Sequence, residues 1–186
     1  MRDLVTTAGQ TVGPFFHYAL PYDGGPHLVP PGSAGAIRLA GTVYDGAGAP
    51  VPDAMLEIRQ ADAAGRVPVV EGSLRRDGVF TGWGRAATDA VGRYAFTTVA
   101  PAPTRPGVAA YFAVTLFARG LLDRLFTRIY LPGPELSDDP FLRSLPDDRR
   151  RTLVAERDVD GNLRLDLRLQ GEQETVFLAF PRHRDR

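Results

Sequence analysis

The sequence predicts an all-β protein: a β-sandwich with an extended N-terminal arm and short helical turns near residues 135–156. Several segments alternate apolar and polar residues with the period of two that half-buried strands show. Turn signals built from Asp, Gly and Pro separate these segments. The 20 glycines and 16 prolines among 186 residues suit a turn-rich β protein better than a helical one. Many short strands with little helix favour a sandwich.

The first two strands are predicted at residues 37–44 and 54–59, where apolar side chains occupy every second position. Residues 45–48, DGAG, supply turn chemistry, because Gly accepts positive φ and Asp bonds nearby backbone. Two prolines then delay the second strand, and residues 62–65, DAAG, end it. We predict that this unit is a β-hairpin.

Five more strands are predicted further along the chain, at residues 93–99, 109–119, 126–131, 163–169 and 175–180. The segment 109–119, AAYFAVTLFAR, is apolar on both faces, which is typical of a central strand. The segment 163–169 alternates without interruption. Residues 67–88 are rich in turn signals and are predicted as a loop.

The N-terminal 35 residues differ in composition from the rest of the chain. They are rich in Gly, Pro and aromatic residues and show no strand or helix periodicity. An aromatic segment of this kind packs against something, either its own sandwich or another chain. We predict that residues 1–35 form an arm that packs on a partner chain and that residues 36–186 form the β-sandwich domain.

Charge and composition exclude several classes of function. Lys plus Arg and Asp plus Glu number 22 each, so the basic excess of a nucleic-acid-binding protein is missing. No run of 18 apolar residues predicts a membrane span. The chain has no cysteine and no apolar leader segment, and we expect a cytoplasmic protein without disulfides or thiolate metal sites.

The residues that could perform catalysis on their own are few. The three histidines, His17, His27 and His183, are not spaced as metal ligands. We interpret His17 as structural, His27 as a surface residue and His183 as part of a solvated, charged tail. No Gly-x-Ser-x-Gly sequence marks a nucleophile. The paired acids at 138–139 and 147–148 are predicted to cap helices rather than to exchange protons. We therefore predict no self-contained catalytic site.

Five short motifs nevertheless occur in an order and spacing that resemble a known family. They are TVGPFF at 11–16, GTVYDG at 41–46, LEIRQAD at 56–62, LFARG at 116–120 and GEQETVF at 171–177. Each motif is weak alone, but together they extend over nearly the whole chain. On these residues the sequence resembles the intradiol ring-cleavage dioxygenases, and most closely the alpha subunits of their two-subunit members.

The resemblance implies a β-sandwich and an iron-dependent oxidoreductase. Catalytic subunits of the family hold a non-haem ferric ion through two tyrosines and two histidines, donors that suit such an ion. The equivalent positions here are Val67, Thr104, Tyr111 and Ala113, and the arginine that precedes the two histidines falls near Val108. The resemblance therefore implies that this chain binds no metal and that a partner beta subunit binds Fe(III).

The resemblance also implies a contribution to the partner's active-site cavity. The contributing positions are Thr11, Gly13, Pro14, Phe15 and Arg119. Many relatives have Tyr where this chain has Phe15. The implied reaction is cleavage of protocatechuate by O2 to 3-carboxy-cis,cis-muconate. From the residues alone, an ion pair of Arg119 with an acid such as Glu57 or Asp123 is the preferred interpretation, and the resemblance reverses that preference.

One alternative from a different class stays open on composition alone. A stand-alone β-sandwich binding module, either transthyretin-like or carbohydrate-binding, would have the same strand pattern. The two readings differ in the behaviour of the isolated chain. An obligate subunit exposes a large apolar interface and self-associates without its partner, whereas a binding module stays monodisperse.

Overall fold

The computed structural model describes residues 13, 15–69 and 78–180, and it contains two sheets packed face to face. The first sheet is built from β1 (Ala36–Tyr44), β4 (Arg93–Val99), β7 (Glu156–Arg157), β8 (Leu163–Arg164) and β9 (Leu167–Arg168). The second sheet has the order β3 (Trp83–Ala87), β2 (Met55–Gln60), β5 (Tyr111–Phe117) and β6 (Leu125–Tyr130). The helices are short: α1 (Phe16–Ala19), a 3-10 helix (Pro134–Ser137), α2 (Pro140–Arg143) and α3 (Asp147–Arg151).

The core lies between the two sheets. Along β1, β4 and β5 buried residues alternate with partly exposed ones, as the period-2 pattern predicted. The inner faces contribute Leu39 and Phe96 from the first sheet and Phe112, Val114 and Leu116 from the second. The all-β sandwich prediction is confirmed, and β5 is a central strand, flanked by β2 and β6.

The predicted hairpin between the first two strands is wrong. β1 pairs with β4 and β2 pairs with β3 and β5, so the two strands belong to different sheets. Backbone hydrogen bonds close only the start of the connection: the Asp45 N–H donates to the Ala49 carbonyl, and the Val51 N–H donates to the Val43 carbonyl. Pro50 and Pro52 lack the N–H groups that a continued ladder needs, so the chain crosses to the other sheet.

β3 was missed because its buried face carries small residues. Its inward positions are Gly84 and Ala86, which give no hydrophobic alternation. A Cβ at Gly84 would overlap the side chain of Leu28, which belongs to the core. The need for a small residue therefore comes from a contact with the N-terminal segment, which the sequence around β3 does not reveal.

The uninterrupted strand predicted at 163–169 is broken into β8 and β9. Both short strands run parallel to β1. Between them, two hydrogen bonds that involve side chains take the place of backbone ladder bonds. Asp166 Oδ1 accepts the Thr42 N–H at 2.9 Å, and the Tyr94 hydroxyl donates to the Leu165 carbonyl at 2.6 Å. At the same place a Cβ on Gly41 would overlap the Leu165 carbonyl, so only glycine allows this approach.

The strand predicted at 175–180 is absent: these residues are irregular and follow the outside of β6. Contact with β6 is made by one backbone bond, from Leu178 to the Phe126 carbonyl at 2.7 Å, and by the Thr127 hydroxyl, which donates to the Val176 carbonyl at 2.8 Å. A side-chain donor again replaces part of a backbone ladder.

Four turns share one construction, Asp-x-x-Gly-x, and begin at Asp45, Asp62, Asp89 and Asp158. In each turn the aspartate Oδ1 accepts the N–H groups two and four residues later. The glycine has φ between 74° and 83°, which a residue with a Cβ rarely adopts. The first two of these were predicted as turns, and the other two follow the same rule.

The segment from Tyr22 to Val29 joins the exposed edges of the two sheets. The Arg85 N–H of β3 donates to the Gly25 carbonyl at 3.0 Å, and the Leu28 N–H donates to Thr97 of β4 at 2.8 Å. The segment therefore covers two unpaired strand edges at once. This half of the N-terminal region packs on the sandwich itself.

The helical turns predicted near 135–156 are confirmed. Asp139 caps α2, accepting the N–H groups of Phe141 and Leu142 at 3.0 and 3.1 Å. Asp147 and Asp148 lie in the first turn of α3, where acids favour the helix dipole. Within the part of the chain described, no helix is long and apolar enough to cross a membrane.

Candidate functional site

The outer face of the second sheet carries the residues that sequence analysis selected. On β5 the outward positions are Tyr111, Ala113, Thr115 and Phe117. Ala113 and Phe117 are four residues apart, or about 13 Å along a strand. The two ends of this face have different surroundings, a cavity at one end and the N-terminal arm with Arg119 at the other.

The arm reaches this face through α1. The Phe16 ring is buried, with its centroid 6.4 Å from that of Phe117. Phe15 and Tyr18 point the other way and are 74% and 76% exposed. Gly13 has φ 81° and open space around the position of a Cβ. Thr11 and Pro14, predicted to contribute to the cavity, lie outside the described residues.

Arg119 follows β5 by two residues and forms an ion pair with Asp53. Arg119 Nε lies 2.8 Å from Asp53 Oδ2. The ion pair that sequence analysis left open for Arg119 is therefore present, but with a different acid from the two considered. Glu57 is engaged by Arg85 instead, and no ion pair joins Asp123 to Arg119. We call α1, Phe117, Arg119 and Asp53 the arm–arginine region.

A second ion pair fixes the arm to the sheet. Arg85 Nε and Nη2 donate to Glu57 Oε1 at 3.0 and 2.5 Å, and Arg85 Nη1 donates to the Leu20 carbonyl at 2.7 Å. The same guanidinium lies over the Trp83 ring, 5.0 Å from its centroid, and Trp83 stacks on Tyr22. One largely buried arginine therefore ties the end of α1 to β2 and β3.

The four positions equivalent to metal ligands lie together at the other end of the face. Val67, Thr104, Tyr111 and Ala113 all line one cavity of about 150 Å³, which we call the four-position cavity. Their proximity agrees with the placement made from the flanking motifs. The cavity is smaller than the roughly 300–1,000 Å³ of ordinary ligand pockets.

The residues of this cavity do not fit a ferric ion. Val67 and Ala113 have no donor atom, and the ring of Tyr111 is covered by the Arg128 guanidinium, 4.4 Å from its centroid. Burial opposes the charge of Arg128, but its hydrogen bond to the Tyr130 hydroxyl and the nearby Tyr111 keep its pKa above the ordinary value. A fixed cation beside the site repels a metal ion. Across the described ranges, no three His, Asp or Glu side chains form a group that could hold one.

Two of the three histidines lie in the described residues, and both contact neighbouring side chains. His17 packs against the rings of Phe16 and Tyr18, at 5.7 and 3.9 Å between centroids. His27 Nδ1 lies 3.2 Å from Thr97 Oγ1 in the segment that joins the sheet edges. His183 lies outside the described residues.

Three residues of this face were missed by sequence reasoning: Asp53, Arg85 and Arg128. Asp53 and Arg85 pair with residues far away in the sequence, and Arg128 covers the distant Tyr111 besides bonding the nearby Tyr130. Of the three, Arg85 gave a usable signal, because an arginine two residues after Trp83 in a segment of small residues is unusual for a loop.

Comparisons with known proteins identify relatives of this chain. A family model described as "Dioxygenase" matches residues 13–110. The chain is 40% identical to the protocatechuate 3,4-dioxygenase alpha chain of Burkholderia cepacia, over 95% of this chain and 98% of that one. It is 36% identical to the alpha chain from Pseudomonas putida over the same shares. It is also 35% identical to the beta chain of the Burkholderia cepacia enzyme, over 67% of this chain and 57% of that one.

Solved structures show the same fold at lower identity. The dioxygenase domain of a carbohydrate-binding fusion protein from Streptomyces sp. SirexAA-E has a TM-score of 0.56 at 23% identity, covering 89% of this chain and 98% of that one. Catechol 1,2-dioxygenase from Pseudomonas arvilla C-1 has a TM-score of 0.57 at 23% identity, covering 86% of this chain and 58% of that one. These matches favour a dioxygenase subunit over a stand-alone binding module. The chain belongs to the intradiol ring-cleavage dioxygenase family and is similar over nearly its full length to protocatechuate 3,4-dioxygenase alpha chains.

Proposed function

We propose that the chain is the alpha subunit of a protocatechuate 3,4-dioxygenase and acts in the cytoplasm. It completes the active-site cavity of a beta subunit, which holds Fe(III). The reaction inserts oxygen between the two hydroxyl-bearing carbons of protocatechuate and yields 3-carboxy-cis,cis-muconate. The relatives that carry this name are similar to the chain over nearly its full length.

One observation carries the proposal: the arm, with its exposed aromatic residues, packs on the strand that ends two residues before a solvent-exposed arginine, whereas the four-position cavity lacks a ferric ligand set. Phe16 anchors α1 on Phe117, two residues before Arg119. Phe15 and Tyr18 are left exposed on the same arm. An apolar patch beside a fixed charge is typical of a surface that another chain covers.

Each residue has a simple role in this proposal. The Arg119 guanidinium binds the substrate carboxylate, because its planar fork of donors matches two carboxylate oxygens. Covering by the partner excludes water, which strengthens that interaction. Phe15 and Tyr18 pack against the partner and position the segment that holds Thr11, Gly13 and Pro14 at the cavity. Phe15 offers no hydroxyl, so its contribution is apolar contact.

In this proposal the beta subunit binds the iron, and this chain does not. Intradiol dioxygenases depend on iron, and the chain matches a beta chain of the same kind of enzyme. Because Val67, Thr104, Tyr111 and Ala113 do not supply a ligand set, we assign the Fe(III) to the beta subunit. The alpha chain then contributes binding and enclosure to the reaction.

The test is co-expression with a beta chain encoded next to it, followed by iron analysis and oxygen uptake on protocatechuate. We expect a stable complex of the two chains, iron in the complex, and oxygen uptake that needs both chains. The beta chain expressed alone and this chain expressed alone are the controls. A complex that fails to form, or one that forms and consumes no oxygen with protocatechuate, would contradict the proposal.

A further inference from the structure

We infer that Asp53 is a positioning residue for substrate: it holds Arg119 by Nε and leaves the terminal nitrogens of the guanidinium to the substrate carboxylate. The inference rests on the proposed function, because it assumes that Arg119 faces the shared cavity. It adds a residue and a geometry to that function.

The two members of the ion pair are not equally exposed. The Asp53 side chain is 13% exposed, whereas that of Arg119 is 66% exposed. A mutual surface ion pair would leave both groups in solvent and contribute little to stability. Here the acid is the much less exposed member, and the arginine extends outward from it. Asp53 therefore restrains one side of the guanidinium, and the rest of the charged group faces solvent.

The backbone around Asp53 is itself held in place. The next residue, Ala54, is buried and donates its N–H to Thr88 Oγ1 at 3.0 Å. The Thr88 hydroxyl lies 2.9 Å from the Val51 carbonyl, which it reaches as a donor. The Asp53 carboxylate therefore lies just before β2, on a loop in which Thr88 binds the residues on both sides of Asp53, Val51 and Ala54. A carboxylate on a fixed loop can define the direction of a flexible arginine.

The chemistry of the guanidinium explains why the contact at Nε matters. An arginine has one N–H at Nε and four at Nη1 and Nη2. Asp53 Oδ2 approaches the guanidinium at Nε as an ion pair without a hydrogen bond, and within the described ranges no hydrogen bond occupies Nη1 or Nη2. The outward pair of nitrogens can bind a carboxylate end-on through two parallel N–H···O bonds. Without Asp53, Arg119 would sample many rotamers, and each binding event would have to order it.

The experiment measures KM and kcat for protocatechuate and for catechol, which has no carboxylate, on complexes of each variant with the beta chain. The Asp53→Asn variant keeps the shape of the side chain and removes its charge. We expect it to raise KM for protocatechuate about tenfold, with kcat and the catechol KM little changed. Asp123→Asn is the matched control, since Asp123 lies near Arg119 in sequence and is not paired with it.

A double variant isolates the mechanism. If Asp53 acts through Arg119, adding Asp53→Asn to Arg119→Lys should change the protocatechuate KM little further, because the two residues act as one unit. Independent, multiplying effects would overturn the inference. Equal KM increases on both substrates in Asp53→Asn would overturn it as well, because they indicate a general structural disturbance.

The outcomes separate this inference from the proposed function. If Arg119→Lys raises the protocatechuate KM selectively and Asp53→Asn does not, Asp53 has no positioning role and the proposed function stands. If the wild-type complex does not act on protocatechuate, the proposed function fails first.

Co-elution with the beta chain shows whether each variant assembles. If Asp53→Asn does not assemble, Asp53→Glu keeps the charge and displaces it by one methylene, and an unchanged protocatechuate KM in that variant would contradict the inference.

Discussion

The four-position cavity and the arm–arginine region lie at opposite ends of one strand, β5, and differ in what their side chains can do. At one end Val67 and Ala113 offer no donor. At the other, Arg119 is paired with a largely buried acid and stays exposed. Both ends use the outer face of the sheet, and neither uses the Phe112, Val114 and Leu116 side chains that fill the core.

This difference shows how a subunit can lack a metal site and keep its fold. Residues on the outer face do not fill the core between the sheets, so replacing a ligand there costs little packing. The inner face cannot change in the same way, because a buried large-to-small substitution costs roughly 2–5 kcal/mol. On the proposed function, the arm–arginine region is the part of the outer face that serves the partner's site.

Removing the arm should have the largest effect on the arm–arginine region. A chain without residues 1–20 loses Phe16, Phe15 and Tyr18 together. We expect association with the beta chain to weaken about 30-fold or more, as when buried aromatic anchors are lost from an interface, and activity to fall with it. Analytical ultracentrifugation and oxygen uptake check this. Val159→Ser, which changes an exposed apolar residue elsewhere, is the control. Normal assembly with full activity would show that the arm is not an interface.

Arg119→Lys should separate charge from geometry in the same region. Lysine keeps the positive charge but loses the planar fork, so the complex should still assemble. We expect KM for protocatechuate to rise about tenfold or more and KM for catechol to change little. Steady-state kinetics on both substrates measure the ratio. Arg157→Lys, on the exposed strand β7, is the control. A parallel loss on the two substrates would remove the carboxylate role.

Arg85→Gln should loosen the arm without removing it. The variant leaves Glu57 without its cation and the Leu20 carbonyl without its donor. We expect a loss in stability of about 3 kcal/mol and faster amide exchange across α1, because breaking a buried pair leaves an uncompensated charge. Hydrogen exchange and urea unfolding provide the readouts. Arg59→Gln, on the neighbouring outward position of β2, is the matched control. Unchanged exchange in α1 would mean that Arg85 does not hold the arm.

Asp62 follows Ala61, which lines the four-position cavity, and Asp62→Ala should change mainly the stability of the protein. The Arg66 N–H, the Ala64 N–H and the Arg66 side chain lower the pKa of Asp62. A carboxyl with a lowered folded-state pKa stabilises the protein above its unfolded pKa of about 4, and this contribution is lost as the pH falls through the folded value. The variant should therefore be less stable than the wild type at pH 7, and the difference in stability should become smaller toward pH 3. Urea unfolding midpoints of both proteins at pH 7 and at pH 3 measure this difference. Kinetic constants should be unchanged, and a selective loss of protocatechuate binding would show that the cavity end also serves the substrate.

Local patterns were sufficient to predict much of the sandwich. Along β1, β4 and β5, buried and partly exposed residues alternate because each strand has one face in the core, and consecutive residues of the sequence show this alternation. The Asp-x-x-Gly-x turns are likewise local, since one carboxylate satisfies N–H groups two and four residues away. The helix cap at Asp139 is a local contact of the same kind.

The errors arose where distant side chains replace local rules. The interruption between β8 and β9 depends on Asp166 bonding Thr42 and on Tyr94 bonding Leu165. The small residues of β3 depend on Leu28. In the candidate site, Arg119 was predicted from its motif, but its partner Asp53 was not, because only the folded sandwich brings the start of β2 to the end of β5. Pairings between strands are therefore what the sequence alone does not supply.

The most direct test of the central claim is the iron content of this chain alone and in complex with the beta chain, after both are loaded with the metal and desalted. The account predicts iron in the complex in proportion to its beta chain. For this chain alone it predicts none, with no tyrosinate-to-iron absorption band in the visible range. Stoichiometric iron with such a band in the lone chain would show that the four-position cavity, or another site in this chain, binds the metal, and would contradict the account.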